Sequence, residues 1–199
     1  LMTPAERMQA CADLISPPAP DPWEYARRME STREIGHYLA TLDAYLLACG
    51  VRHFSAFEVS TMSASAQKVA KRMGAARSLY GDQFVDPIPV WLWQPFAALL
   101  VGFCDPIRDA LGAPVTLRNG LRQWAVNQQV ASSGIASDHP NTASADLDLA
   151  RSGDLKAAHA KAEELYATHG DLHGVSLGQG ASVIHIGIHS PMGHRRWRY

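Results

Sequence analysis

Apolar residues recur at helical spacing through the first quarter of the chain. After a Pro-rich break over 17–22, Asp21-Pro22 has the form of a cap followed by a first-turn proline. Tyr25, Met29, Ile35, Tyr38, Leu39, Leu42, Tyr45 and Leu46 then predict one long helix or two joined ones, ending near Gly50. Such an amphipathic run is expected to pack on the main domain as a structural element. From Val51 to Val85 the pattern is mixed, with a short element at His53–Val59 and a helix over Ser63–Met73. A buried helix follows at Val90–Phe103. Asp105-Pro106 starts another turn, which Gly112 stops.

The second half changes period. Pro114–Arg118 reads as a short β-branched strand and Gln123–Val130 as a helix. Beyond a Ser/Gly/Asn/Thr-rich loop over 132–144, Ala145–Leu149 alternates apolar and acidic residues, which predicts a half-exposed strand with Asp146 and Asp148 on one face. Asp154–Thr168 is the clearest helix, with Gly170 as its stop. Val175–Leu177 and Ser182–Ile188 read as strands joined by a turn at Gly178-Gln179-Gly180. Helices first and short strands last predict an α+β fold, with helices packed on a small, mainly antiparallel C-terminal sheet and an N-terminal helical extension. The division expected is a helical segment over 1–50 and a main domain over 51–199.

The 199 residues suffice for one domain of ordinary size, and 47% hydrophobic against 19% charged is a globular profile. A net charge of −1 supplies no field to draw the chain onto nucleic acid or an anionic membrane. The longest uncharged stretch, Pro87–Cys104, is broken by prolines and by Gln94, so a membrane span is not expected. Cys11, Cys49 and Cys104 form no CxxC pair, which predicts unpaired thiols. The N-terminus lacks the pattern of a secretory signal, and Leu1 before Met2 is consistent with a longer precursor, so localisation stays open. The tail His194–Tyr199 is basic and aromatic, and is expected to be solvated or packed rather than a phosphate site.

Most of the nine histidines need no special role. The C-terminal half differs, because His139 lies on a tight loop, Asp146 follows seven residues later at a strand start, and His185 sits in another apolar strand. Two imidazoles and a carboxylate from separate elements make an N,N,O set for Zn²⁺ that leaves a fourth position open.

Ser137-x-His139 followed by Asp146, with Val183-Ile184-His185-Ile186 downstream, resembles the zinc signature of the M15-type peptidoglycan peptidases, D-Ala-D-Ala carboxypeptidases and related cell-wall endopeptidases. Their pattern is Ser-x-His-x-x-Gly-x-Ala-x-Asp with a later apolar-apolar-His. Val115–Arg122 is similar to the family's strand and Gly-aromatic-Arg turn, Asn127 falls five residues after that Arg, and Arg195-Arg196-Trp197 is similar to the ending of some members. The resemblance covers roughly residues 51–199. It implies His139, Asp146 and His185 as zinc ligands, with Asp148 the rival to Asp146. Arg122 would orient the substrate carbonyl or carboxylate, and Ser137 would support the His139 loop or the substrate. Zinc in such a site polarises a peptide carbonyl and lowers the pKa of its bound water toward ~7.

Three positions depart from the pattern. Thr142 stands where the family has Gly, a backbone it is expected to adopt only at a cost. The general base that many members carry three residues before the last His is here Ser182, left with a substrate-binding role, and the acid that others carry two residues after it is here Gly187. His173, read as lying on the strand beside His185, is the candidate substitute base. Three readings follow: a zinc peptidase acting on D-amino-acid-containing cell-wall peptides, periplasmic or extracellular if so; a zinc-retaining binding protein without hydrolysis; or the same ligands used for other metal chemistry.

Overall fold

The computed structural model of the chain describes residues 3–14, 35–73, 79–80, 83–122, 124–129, 137–191 and 193–199. The Pro-rich break, the Asp21-Pro22 helix start and residues 132–136 of the 132–144 loop lie outside them. Helix α1, Pro4–Asp13, begins with Thr3 and Glu6 in a reciprocal capping box. Helix α2, Ile35–Ala48, buries Tyr38, Leu39, Leu42, Tyr45 and Leu46, the stripe the sequence pattern marks. Ser55 and Glu58 form a second capping box at the start of α3, Ala56–Ser60, and α4 follows at Ala64–Met73. A two-residue hairpin pairs β1, Leu79–Tyr80, with β2, Gln83–Phe84.

Val90–Leu111 is one continuous helical segment, made of a tight turn at Val90–Leu92, α5 at Trp93–Leu99, a wide turn at Leu100–Cys104 and α6 at Asp105–Leu111. The helix read at Val90–Phe103 is present, and it continues through Asp105-Pro106, which the pattern reads as a separate turn start. Asp105 N–H reaches back five residues to Leu100 O, and this wide turn comes immediately before Pro106, which has no N–H to place. At 22 residues the segment is long and apolar enough to cross a membrane by length and composition alone. Its Trp93, Phe96, Leu99, Leu100, Phe103, Ile107 and Leu111 are instead buried against protein. Gly112 ends it in the left-handed region at φ 67°.

The remaining elements are β3, Val115–Asn119; α7, Trp124–Asn127; β4, Ser144–Leu149; α8, Leu155–His173; β5, Ser176–Gln179; β6, Val183–Gly187; and β7, Arg195–Arg198. The fold is α+β. Its five-stranded sheet has the order β3-β4-β6-β5-β7, in which every pair is antiparallel except β5 with β7, so the sheet is mixed. Val115, Leu117, Ala145, Leu147, Leu149, Leu177, Ile184 and Ile186 share one apolar face and join residues of α1, α2, α5, α6 and α8 in a continuous core. By the period of two, the alternate residues form the opposite, polar face.

Two local expectations change. Helix α8 runs through Gly170 and stops at Gly174, φ 55°. A Cβ at Gly170 would lie 2.2 Å from His194 Nε2, so this glycine makes room for an imidazole rather than breaking the helix. Gly178 and Gln179 belong to β5, and the turn begins at Gly180, whose N–H bonds Val183 O. The basic tail is an ordered edge strand. Cys11, Cys49 and Cys104 are buried and unpaired, and burial pushes the Cys11 thiol up to about 12.

Candidate metal centre

On the polar face the pairing register builds a row across the sheet. Asn119 of β3 lies opposite Asp146 of β4, Asp146 opposite His185 of β6, His185 opposite Gly178 of β5, and Gly178 opposite Trp197 of β7. The 137–143 turn adds His139, with Asn141 and Thr142 N–H both bonded to Asp138 O. One donor atom from each of His139, Asp146 and His185 lies within 4.8 Å of the others. His139 Nε2 is 3.2 Å from Asp146 Oδ2 and His185 Nδ1 is 2.8 Å from Asp146 Oδ1. Donors about 2.0–2.1 Å from a tetrahedral zinc stand roughly 3.3 Å apart, so small side-chain shifts would admit an ion.

The remote nitrogens of both rings are spoken for. His139 Nδ1 is 2.9 Å from Gly120 O, a group that only accepts, so Nδ1 donates there and Nε2 is the nitrogen turned toward Asp146. Ser144 Oγ lies 3.0 Å from the same Nδ1. His185 Nε2 is 3.0 Å from Asp138 Oδ2, which leaves Nδ1 facing the other ligands. Asn119 Nδ2 donates to Asp146 Oδ2 at 2.7 Å while its Oδ1 accepts from Ser63 N–H at 2.9 Å. Partners of this kind fix ring orientation and tautomer in metal sites. These residues therefore fit a divalent ion of the zinc class, with side chains supplying three donors and the other positions open.

Electrostatics follow from the contacts. Burial alone would depress the His185 imidazole, but hydrogen bonds to Asp138 and Asp146 outweigh it and lift it to about 9. Burial acts against ionised Asp138 as well, yet His185, Ser176 and Ser190 hold it at about 2. Asp146 is drawn well below the ordinary carboxylate range by the two imidazoles despite its burial.

Asp148, the rival ligand, shares the Asp146 face as expected but is taken by Arg118 Nη2 at 2.5 Å. Arg122 is buried beside the centre, its backbone N–H bonded to His139 O at 3.1 Å and its Nη1 to Asn127 Oδ1 at 3.0 Å. Ser137 supports the His139 turn through its carbonyl, which accepts from Asn141 Nδ2 at 2.6 Å. Ser182 precedes β6 and accepts Leu149 N–H on its carbonyl; three residues from His185, it falls on the opposite parity of an extended strand. His173 is not on a strand but is the last residue of α8. Its ring neighbours are His169 and His189, at 5.7 and 6.2 Å, and among the described residues no hydrogen bond or ring contact joins it to the three ligands. Thr142 pays no left-handed cost, since His189 is the one non-glycine residue with positive φ among those described, and Thr142 Oγ1 instead bonds Ile188 O.

Asp138 and Trp197 carry no role in the sequence reading, though both lie inside the strings that support the resemblance. The indole reaches His185, ring centres 5.3 Å apart, across Gly178, where a Cβ would sit 2.6 Å from the ring. Arg195 Cζ lies over the same indole, 4.9 Å from the ring centre. The chain matches no protein-family model, no curated protein and no solved structure.

Proposed function

We propose that the chain is a zinc-dependent peptidase acting on a D-amino-acid-containing peptide of the cell-wall type. The observation that supports this most is the convergence of His139 Nε2, Asp146 and His185 Nδ1, with the remote nitrogens of both rings already bonded and Asp146 held by Asn119. The likeness of these positions, and of Arg122, to the M15-type zinc signature supplies the substrate class. Zinc bound there would supply a Lewis acid for the peptide carbonyl and a water acidic enough to react near neutral pH.

The chain's own residues supply orientation. Asp146 and the two imidazoles define the reacting face, Asn119 holds the Asp146 carboxylate, and Trp197 walls the His185 side against water. Arg122, a planar fork beside the ligands, is the group to pair with a substrate oxygen. A second reading, metal-dependent binding without hydrolysis, has one observation in its favour: both oxygens of Asp138, the nearest other carboxylate, are occupied by partners.

The test is metal analysis together with mass-spectrometric hydrolysis of muropeptides, with and without chelator. Chelator-sensitive amide cleavage supports the peptidase; stoichiometric metal with muropeptide binding but no cleavage supports the second reading. Arg122→Lys should lower kcat/KM about 10²-fold while metal content stays unchanged, because the charge remains but the fork is lost. Equal loss of metal and turnover would mean that Arg122 holds the centre together rather than the substrate.

A further inference from the structure

Gly187 lies two residues beyond His185 on β6, so a side chain there would rise from the same face of the sheet. A Cβ at that position would come 2.8 Å from Ser176 Oγ, 2.9 Å from Asp138 Oδ2 and 3.1 Å from Asp138 Cγ. The space belonging to residue 187 is therefore filled by a carboxylate delivered from another element, the turn that carries His139. Backbone conformation does not demand glycine here, since Gly187 is not among the described glycines with positive φ.

The borrowed carboxylate is built in. Asp138 is 1% exposed, accepts from Ser190 Oγ at 2.6 Å on Oδ1 and from Ser176 Oγ on Oδ2, and has Arg195 Nη2 at 3.7 Å. Its Oδ2 also takes His185 Nε2 at 3.0 Å, on the side of the ring away from Asp146. Because Asp138 and His139 are consecutive, one turn supplies a ligand directly and aims a second ligand on a strand 46 residues away.

We propose that Asp138 is the positioning residue of the metal centre, occupying the place of a residue-187 side chain and fixing His185 with Nδ1 toward His139 and Asp146. This rests on the metal reading of the site and deepens it, since Ser182 and Gly187 leave β6 without an acid of its own beside His185. A carboxylate on the outer nitrogen of a metal-binding imidazole sets its orientation and raises its basicity, and losing such a partner typically weakens metal binding about 10–100-fold.

The experiment is a carboxylate swap read by Co²⁺ titration of the metal-free protein, following the visible absorption of the bound ion. Four proteins are compared: the unsubstituted chain, Asp138→Ala, Gly187→Asp, and the double variant carrying both. Asp138→Ala should bind Co²⁺ about 10–100-fold more weakly, with a changed spectrum. Gly187→Asp should also bind more weakly, because two carboxylates then compete for one space. The double variant should recover both the affinity and the spectrum of the unsubstituted chain, which a merely structural loss at residue 138 would not allow. Asp138→Asn reads the same loss should Asp138→Ala fail to fold. An unchanged affinity in Asp138→Ala, or a double variant as weak as the weaker single one, overturns the assignment while leaving the centre standing. No Co²⁺ binding by the unsubstituted chain overturns the centre, and this assignment with it.

Discussion

His139→Ala protein should purify without stoichiometric metal and bind added zinc at least about 100-fold more weakly than the unsubstituted chain. A partner behind a ligand is worth about 10–100-fold in affinity, and a direct donor must exceed that. The loss should also be specific. His139 Nε2 is one of three donors gathered within 4.8 Å, and no carboxylate or imidazole among the described residues is placed to replace it in such a cluster. Asp148→Asn is the matched control, because Asp148 shares the Asp146 face but is bonded to Arg118, so its metal content should stay at the unsubstituted level. Elemental analysis of the two purified variants decides the matter. A His139→Ala protein that keeps full metal would remove His139 from the ligand set, and an Asp148→Asn protein that loses it would exchange the two carboxylates' roles.

Gly120→Ala should lower stability by about 3 kcal/mol or more and the Tm by roughly 6–12 °C. A Cβ at Gly120 would lie 2.0 Å from Val59 O and 2.8 Å from Val59 C, backbone atoms that no rotamer change can move aside. The same Val59 O accepts Leu121 N–H, and Gly120 O accepts the His139 Nδ1 proton, so the residue that would clash is also the one that orients the His139 ring. Thermal unfolding and zinc affinity are therefore expected to fall together. Gly36→Ala makes the contrast: nothing lies within 4 Å of a Cβ there, and in α2 the change should stabilise by about 0.5–1 kcal/mol. If Gly120→Ala unfolds like the unsubstituted chain, the close approach of α3 to the β3 end is not what holds His139.

Much of this arrangement was legible in the chain. The period-two alternation in Ala145–Leu149 gave β4 and the common face of its two acids, and the helical stripe from Tyr38 to Leu46 gave the buried side of α2. What was not legible depends on partners distant in sequence. Asp146 and Asp148 are alike locally, and Arg118, thirty residues earlier, is what withdraws Asp148. Gly170 and Gly174 are both helix breakers by type, and the imidazole of His194, against which Gly170 packs, lies on the segment leading into β7. Reading Gly170 as the helix stop puts His173 on the strand beside His185, whereas α8 continues past it and His173 is its last residue. Asp138 stood in plain view beside His139, but nothing local to residue 138 reports that Ser176, Ser190 and His185 converge on it. The space left by Gly187 becomes visible only once β4, β5 and β6 are side by side.

The register that puts Asp146 directly opposite His185 has a kinetic side. An ion shared by these two residues would be a staple between β4 and β6, the second and third strands of the five-stranded sheet. Strands bonded this way part only through local opening, a rarer event than loop movement in most folds. An ion held by both residues would oppose the parting of β4 and β6, so added zinc should slow amide exchange in the middle of the sheet.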